Sequence, residues 1–253
     1  MKQLFFFFII LLSSNAIANS KDQLGSWIDS AERILRAKTS ASVLSMAINK
    51  AEYQRDFTLL VLTDDRSEQQ KVMVRMLGPA LWRGNVTLKV DDRISFFEPR
   101  NKRTTVMSSS MLASSWMGSH FSNDDLMRET DLATHYAYQA AKSWHQESRD
   151  YHLIELTPLP SAPVVWGKVM YRLYIDDGRV FPEQVSYYRR NSDEQPERTL
   201  TYSDVKQMDG FKVPTMMEMR ISDKPDEYTR MHYQKIKFNS DLAASKFTEQ
   251  AFL

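Results

Sequence analysis

The side chains able to do chemistry are few and scattered. The five histidines are His120, His135, His145, His152 and His232. None falls in an H-E-x-x-H or comparably tight ligand spacing. They read as solvated or core-edge residues, and no metal is expected. Gly118-Ser119-His120 lacks the outer glycines of a G-x-S-x-G elbow, so Ser119 reads as a polar loop serine and not as a nucleophile. The acidic pairs Asp64-Asp65, Asp91-Asp92, Asp124-Asp125 and Asp176-Asp177 resemble catalytic carboxylates. Each sits where a turn or helix start is predicted, and aspartate is favoured there by local hydrogen bonding. With Cys 0 there is no disulfide, no thiolate metal site and no thiol nucleophile. No glycine-rich phosphate loop occurs among the 7 glycines. The expectation is therefore a protein that is not an enzyme, with no catalytic residue and no cofactor.

Charge points the same way. Lys+Arg 33 against Asp+Glu 32 leaves a formal net charge of +1, which gives no electrostatic case for nucleic acid. Arg100, Lys102 and Arg103 cluster after Pro99 without interleaved aromatics. They read as a charged strand edge that discourages aggregation, with an acidic partner or a lipid headgroup as the alternative.

Lys2 followed by the unbroken apolar run Leu4 to Leu12 and by Ala16-Ile17-Ala18 has the layout of a secretory signal. That run rises only ~14 Å as a helix, too little for a hydrocarbon core of ~30 Å. Residues 1–18 are expected to be removed, residues 19–253 to form a single domain, and the mature chain to reside in the periplasm. From Asp22 to Lys38, Leu24, Trp27, Ile28, Ala31, Ile34 and Leu35 recur at helical spacing, with Asp22 or Ser26 as the cap. After Thr39 the period becomes two. Leu44, Met46 and Ile48 alternate with smaller or polar residues, and Phe57 to Leu62, Val72 to Met76 and Val86 to Val90 continue as strands. Ser108 to Glu129 breaks the pattern. It is rich in serine yet too apolar to face water, and Ser122 or Asn123 is placed to cap a short helix there. Strands resume at Asp131, with Trp144 to Thr157 as one run, and continue through Lys168 to Ile175, Val180 to Arg190, Glu197 to Val205, Phe211 to Ile221 and Tyr228 to Phe238. Asp177-Gly178 and Asp209-Gly210 are hairpin turns. Asp241 to Leu253 reads as a polar tail.

One helix and a long run of strands with a helical insertion define an α+β protein built on one curved antiparallel sheet. Roughly ten to thirteen strands exceed what stays flat, so the sheet curls toward a barrel. Several strands are apolar on both faces, which fits a concave face that is covered or filled. The sequence carries 14 methionines, crowded at Met216, Met217 and Met219 and at Met107, Met111, Met117 and Met127. They read either as core filling or as an adaptable apolar surface for a flexible ligand. At ~0.8 kcal/mol per buried methylene, a chain of about sixteen carbons supplies up to ~12 kcal/mol before entropic costs.

Two stretches, Leu81-Trp82-Arg83-Gly84-Asn85-Val86-Thr87-Leu88 and Phe96-Phe97-Glu98-Pro99-Arg100-Asn101-Lys102-Arg103, resemble the outer-membrane lipoprotein-sorting (LolA-like) family. The resemblance continues through Ser108-Ser109-Ser110, Met117-Gly118-Ser119-His120-Phe121-Ser122-Asn123-Asp124-Asp125-Leu126 and Ser245-Lys246-Phe247-Thr248. It is to the broad family. The dedicated lipoprotein carrier's arginine-proline-aromatic segment has no counterpart here, where Gly78-Pro79-Ala80-Leu81-Trp82 stands. The resemblance implies an unclosed antiparallel β-barrel with helices over its mouth. It also implies a cavity for the acyl chains of lipoproteins or another lipid, and an inner-membrane RND-type transporter as partner. Membrane contact would be transient and the protein a monomer. On strand alternation, the lining candidates are Leu44, Met46, Ile48, Phe57, Leu59, Val61, Val86, Leu88, Phe96, Met217 and Met219. The lid candidates are Met111, Leu112, Trp116, Met117, Phe121 and Leu126. A slip of one residue would move any strand candidate to the other face. The alternative function is a non-enzymatic interaction module that modulates a membrane exporter or envelope assembly, its cavity being merely a core.

Overall fold

The computed structural model describes residues 21–252 except 68, 92, 124, 126–131, 161 and 163. The leader expected at residues 1–18 lies outside them. Helix α1 (Lys21–Glu32) precedes β1 (Thr39–Asn49), β2 (Gln54–Asp64), β3 (Lys71–Gly78), β4 (Val86–Val90), β5 (Arg93–Glu98) and β6 (Arg103–Val106). An insertion follows, with the short helices α2 (Ser109–Leu112) and α3 (Leu132–His135). The chain then runs through β7 (Tyr136–Gln146), β8 (Arg149–Pro158), β9 (Lys168–Asp176), β10 (Arg179–Tyr188), β11 (Arg198–Met208), β12 (Phe211–Ile221) and β13 (Lys224–Phe238).

Among the described residues thirteen strands form one sheet, in the order β6-β5-β4-β3-β2-β1-β13-β12-β11-β10-β9-β8-β7. Two meanders are joined where the first strand pairs antiparallel with the last, Leu44 opposite Tyr233 and Met46 opposite Met231. The sheet is an unclosed barrel. Its free edges, β6 and β7, are consecutive in the chain, and the insertion leaves one edge and returns at the other.

Register places an apolar row across the concave face. Phe57 lies opposite Met46, Met46 opposite Met231, Met231 opposite Met217 and Met217 opposite Tyr202. Helix α1 presses Leu24, Ile28 and Ala31 into the same core, all at most 3% exposed. The other face of β2 to β5 carries a second cluster, Leu62, Met73, Val86, Leu88 and Phe97, sealed by Phe247 of the C-terminal segment. The tail read as polar therefore serves as a cover. Its one deeply buried aromatic, 3% exposed, fills a gap that the alternating strands leave on their outer side.

Local signals account for most boundaries. Asp177 and Gly178 both have positive φ (51° and 70°), as do Asp209 and Gly210 (47° and 85°). That is the conformation a two-residue hairpin needs to match strand twist. Helix α1 stops at Glu32, short of Lys38, and the chain reverses through Ala37 at φ 52° to enter β1. The run Trp144 to Thr157 is two strands, broken by Glu147 at φ 57°. Leu132–His135 is helical where strand was expected, and β5 and β6 extend the sheet beyond β4. Phe247→Ala empties a site enclosed by five apolar side chains. It should lower unfolding free energy by about 3 kcal/mol in a denaturant titration; a change within ~0.5 kcal/mol would mean the tail does not hold the outer cluster.

Candidate functional site

Beneath α1 the concave face encloses a cavity of about 210 Å³. Leu44 of β1, Leu59 and Val61 of β2, Val72 and Val74 of β3, and Met217, Met219 and Met231 of β12 and β13 form its apolar wall. Helix α1 and the turn after it supply Ala31, Ile34 and Leu35, and Phe121 of the insertion closes one side. Of the strand candidates, Leu44, Leu59, Val61, Met217 and Met219 line this space. Met46, Ile48 and Phe57 are at most 2% exposed and belong to the same core without lining the cavity. Phe96 lies opposite Thr87 on the concave side.

Val86 and Leu88 require a correction, for they face the other way. Thr87 accepts a hydrogen bond from Trp116 Nε1 at 3.3 Å and so faces the insertion. The strand period of two then turns Val86 and Leu88 to the outer cluster under Phe247. The alternation was readable, but β4 is apolar on one face and bears Thr87 and Lys89, both buried, on the other. Hydrophobicity alone therefore chose the wrong face.

The insertion is held over the core by polar contacts at the rim. Trp116 and Phe121 are 2% and 4% exposed. Leu112 and Met117 pack partly buried on the same core, while Met111 is 39% exposed. Leu126 lies outside the described residues. Tyr53 donates its hydroxyl hydrogen to the Gly118 carbonyl at 2.6 Å. Gly118 has φ 80°, and a Cβ there would sit 2.5 Å from the Tyr53 hydroxyl, so glycine is required twice over. Ser122 Oγ accepts from the Asp125 backbone N–H at 3.0 Å, and an Asp125 carboxylate oxygen accepts from the Ser122 N–H at 2.7 Å, a reciprocal pair; the short helix expected after Ser122 lies mostly outside the described residues. The same carboxylate takes both terminal nitrogens of Arg198 at 2.6 Å each. Arg198 in turn lies over Trp166 and Tyr187, 4.5 and 4.7 Å from their ring centroids.

His120 is the second anchor. Its backbone N–H donates to Thr229 Oγ1 at 3.0 Å, its Nδ1 lies 2.8 Å from that hydroxyl and its Nε2 3.3 Å from a Glu227 oxygen. A neutral ring protonated at Nε2 satisfies all three contacts. Ser119 is paired with the Phe121 backbone and not with His120, so the two do not form a nucleophile and base. His145 pairs with Asp150 at the surface, and His152 bonds Ser143 and lies against Trp27. Among the described residues no three His, Cys, Asp or Glu side chains gather as a metal set. The partners Arg198 and Asp125 escaped the sequence reading because 73 positions separate them. Tyr187, Tyr202 and Tyr233 also line the cavity, and simple alternation puts them on the faces of Val185, Leu200 and Met231.

Burial holds the His120 imidazole below its usual pKa of 6.5. A released or unfolded ring therefore takes up its proton first as pH falls, and the docked state loses stability below about pH 6.5. The Glu227 carboxyl is held low by the Ala51 backbone N–H, so its own loss comes only below the ordinary value of 4.5. Thermal unfolding followed from pH 7.5 to 5.5 should show a falling midpoint that flattens in His120→Gln; an unchanged slope in that variant would remove the histidine from the latch.

Residues 68–252 match the model of a protein family described as "Uncharacterized protein". Among curated proteins none matches the sequence. Three solved structures share the architecture. A DUF1329 family protein from Desulfovibrio piger superposes with a TM-score of 0.79 at 16% identity, over 93% of this chain and 100% of its own. A domain described as an outer membrane lipoprotein-sorting protein, from Vibrio parahaemolyticus, gives 0.74 at 18% identity, over 90% and 97%. A LolA superfamily protein from Nitrosomonas europaea gives 0.70 at 21% identity, over 92% and 100%. The chain belongs to the family whose model spans residues 68–252, and its fold is the LolA-like fold of outer-membrane lipoprotein-sorting proteins.

Proposed function

We propose that this protein is a carrier for an acylated lipid or lipoprotein, holding the acyl chain between the concave sheet, α1 and the insertion. The cavity carries the reading: an apolar space walled by methionine, leucine and valine from β1, β2, β3, β12 and β13, with Phe121 at its side. Its about 210 Å³ falls below the roughly 300 Å³ at which drug-sized ligand sites begin. An acyl chain therefore enters only if the insertion or α1 moves outward. The insertion suits that motion, because its fixings are a few side-chain contacts at the rim and not strand pairing. Methionine walls suit it as well, since thioethers repack around a chain of no fixed shape.

The leader-like first residues support a periplasmic carrier, and no described helix is long and apolar enough to cross a membrane. A carrier needs a donor and an acceptor, and an RND-type exporter in the inner membrane is the kind of partner it would serve. Ser119 and His120 bond the Phe121 backbone and Thr229 and not each other, which supports a binding role.

Native mass spectrometry of the mature protein from its own periplasm should show one acylated species per chain. Val61→Trp, which projects a ring into the cavity, should abolish that species while the protein stays folded. A protein that is empty as purified, and that leaves Trp116 emission unchanged when a fatty acyl probe is added, would sink the carrier reading and favour an interaction module.

A further inference from the structure

The cavity is not a uniform hydrocarbon slot. Tyr187 of β10, Tyr202 of β11 and Tyr233 of β13 all line it. Tyr202 lies opposite Met217, and Tyr233 opposite Leu44, so both phenols stand among the apolar lining. Tyr187 is 9% exposed and lies opposite Arg198, beside the latch to Asp125. Among the described residues none of the three hydroxyls has a hydrogen-bond partner. The hydroxyls are not sealed in apolar packing but border the cavity, so its occupant has to supply their acceptors. Burial pushes Tyr233 up to about 12 and Tyr187 and Tyr202 upward too, so all three remain neutral donors.

We infer that these three hydroxyls form a subsite that reads the carbonyl oxygens joining acyl chains to their carrier group, an ester or an amide, and that this lets the cavity prefer acylated lipid to plain hydrocarbon. The inference rests on the carrier reading and narrows its ligand. A bare alkyl chain fills the apolar wall but leaves all three donors desolvated and unpaired. A carbonyl oxygen at the chain's head, with two lone pairs, accepts from up to two of them while remaining uncharged. An anionic head fits less well. The wall carries Glu32 and Asp125, and its cations are engaged, Arg36 with Asp65 at contact distance and Arg198 with Asp125.

The test uses the mature protein and three probes of similar length: methyl dodecanoate, N-methyl dodecanamide and tetradecane. Affinities are read by calorimetric titration for the native chain and for Tyr187→Phe, Tyr202→Phe and Tyr233→Phe. Each substitution removes one oxygen and keeps the ring. The native protein should bind one or both carbonyl probes more tightly than tetradecane. At least one of the three variants should weaken carbonyl binding about threefold to tenfold, and all should leave tetradecane unchanged. Preference for the ester would point to a glycerolipid-type cargo, and preference for the amide to an N-acylated protein. Equal affinity for all three probes, native and variant alike, overturns the subsite and leaves the carrier standing. No binding of any probe, tetradecane included, overturns the carrier reading and the subsite with it.

Discussion

An antiparallel sheet that curls without closing has an apolar inner face and two unpaired edges. Both must be dealt with by the rest of the chain. Here the pairing of β1 with β13 decides how. Because the first strand meets the last, the open seam falls between β6 and β7, which are neighbours in sequence. Whatever connects them is forced to lie at the mouth. The insertion is therefore at the lid position for a topological reason, before any of its side chains is considered.

Its composition then answers that position. Trp116 and Phe121 supply the buried apolar area, and Ser122 and Asp125 bond each other's backbone N–H groups. The polar fixings lie at the rim, where Arg198, Tyr53 and Thr229 come from three different hairpins. A buried two-pronged ion pair of this kind is costly to break one partner at a time but gives little net stability as a whole. Such contacts specify one docked position without welding it, in contrast to the continuous strand pairing elsewhere in the sheet.

The two faces of the sheet have different covers. Helix α1 and the insertion cover the concave side and leave a cavity. The C-terminal segment covers the convex side of β2 to β5 with Phe247. Apolar residues on both faces of β2 are thus explained twice, Leu59 and Val61 by the cavity and Leu60 and Leu62 by the tail. The space under the tail is lined by a single methionine, Met73, with Arg75, Lys246 and other polar residues, whereas the cavity under α1 gathers three methionines and three tyrosines, and the functional reading belongs there.

Much of this was written in the sequence. The change of period at Thr39, the Asp-Gly turns and the break at Ser108 marked the start of the sheet, two hairpins and the place of the insertion, because each is a local preference of backbone and side chain. Leu44, Leu59, Val61, Met217 and Met219 could be nominated because residues two apart share a face, and these line the cavity. Tertiary structure alone decided the rest. Val86 and Leu88 turn outward because Thr87 binds Trp116 from the insertion, a contact 29 residues away. Arg198 finds Asp125 only once β11 and the insertion share a rim. The pairing of β1 with β13 spans nearly the whole chain, and no local pattern encodes it. Local preferences name elements and turns. Which face is inside, and which distant charges meet, depends on what covers the sheet.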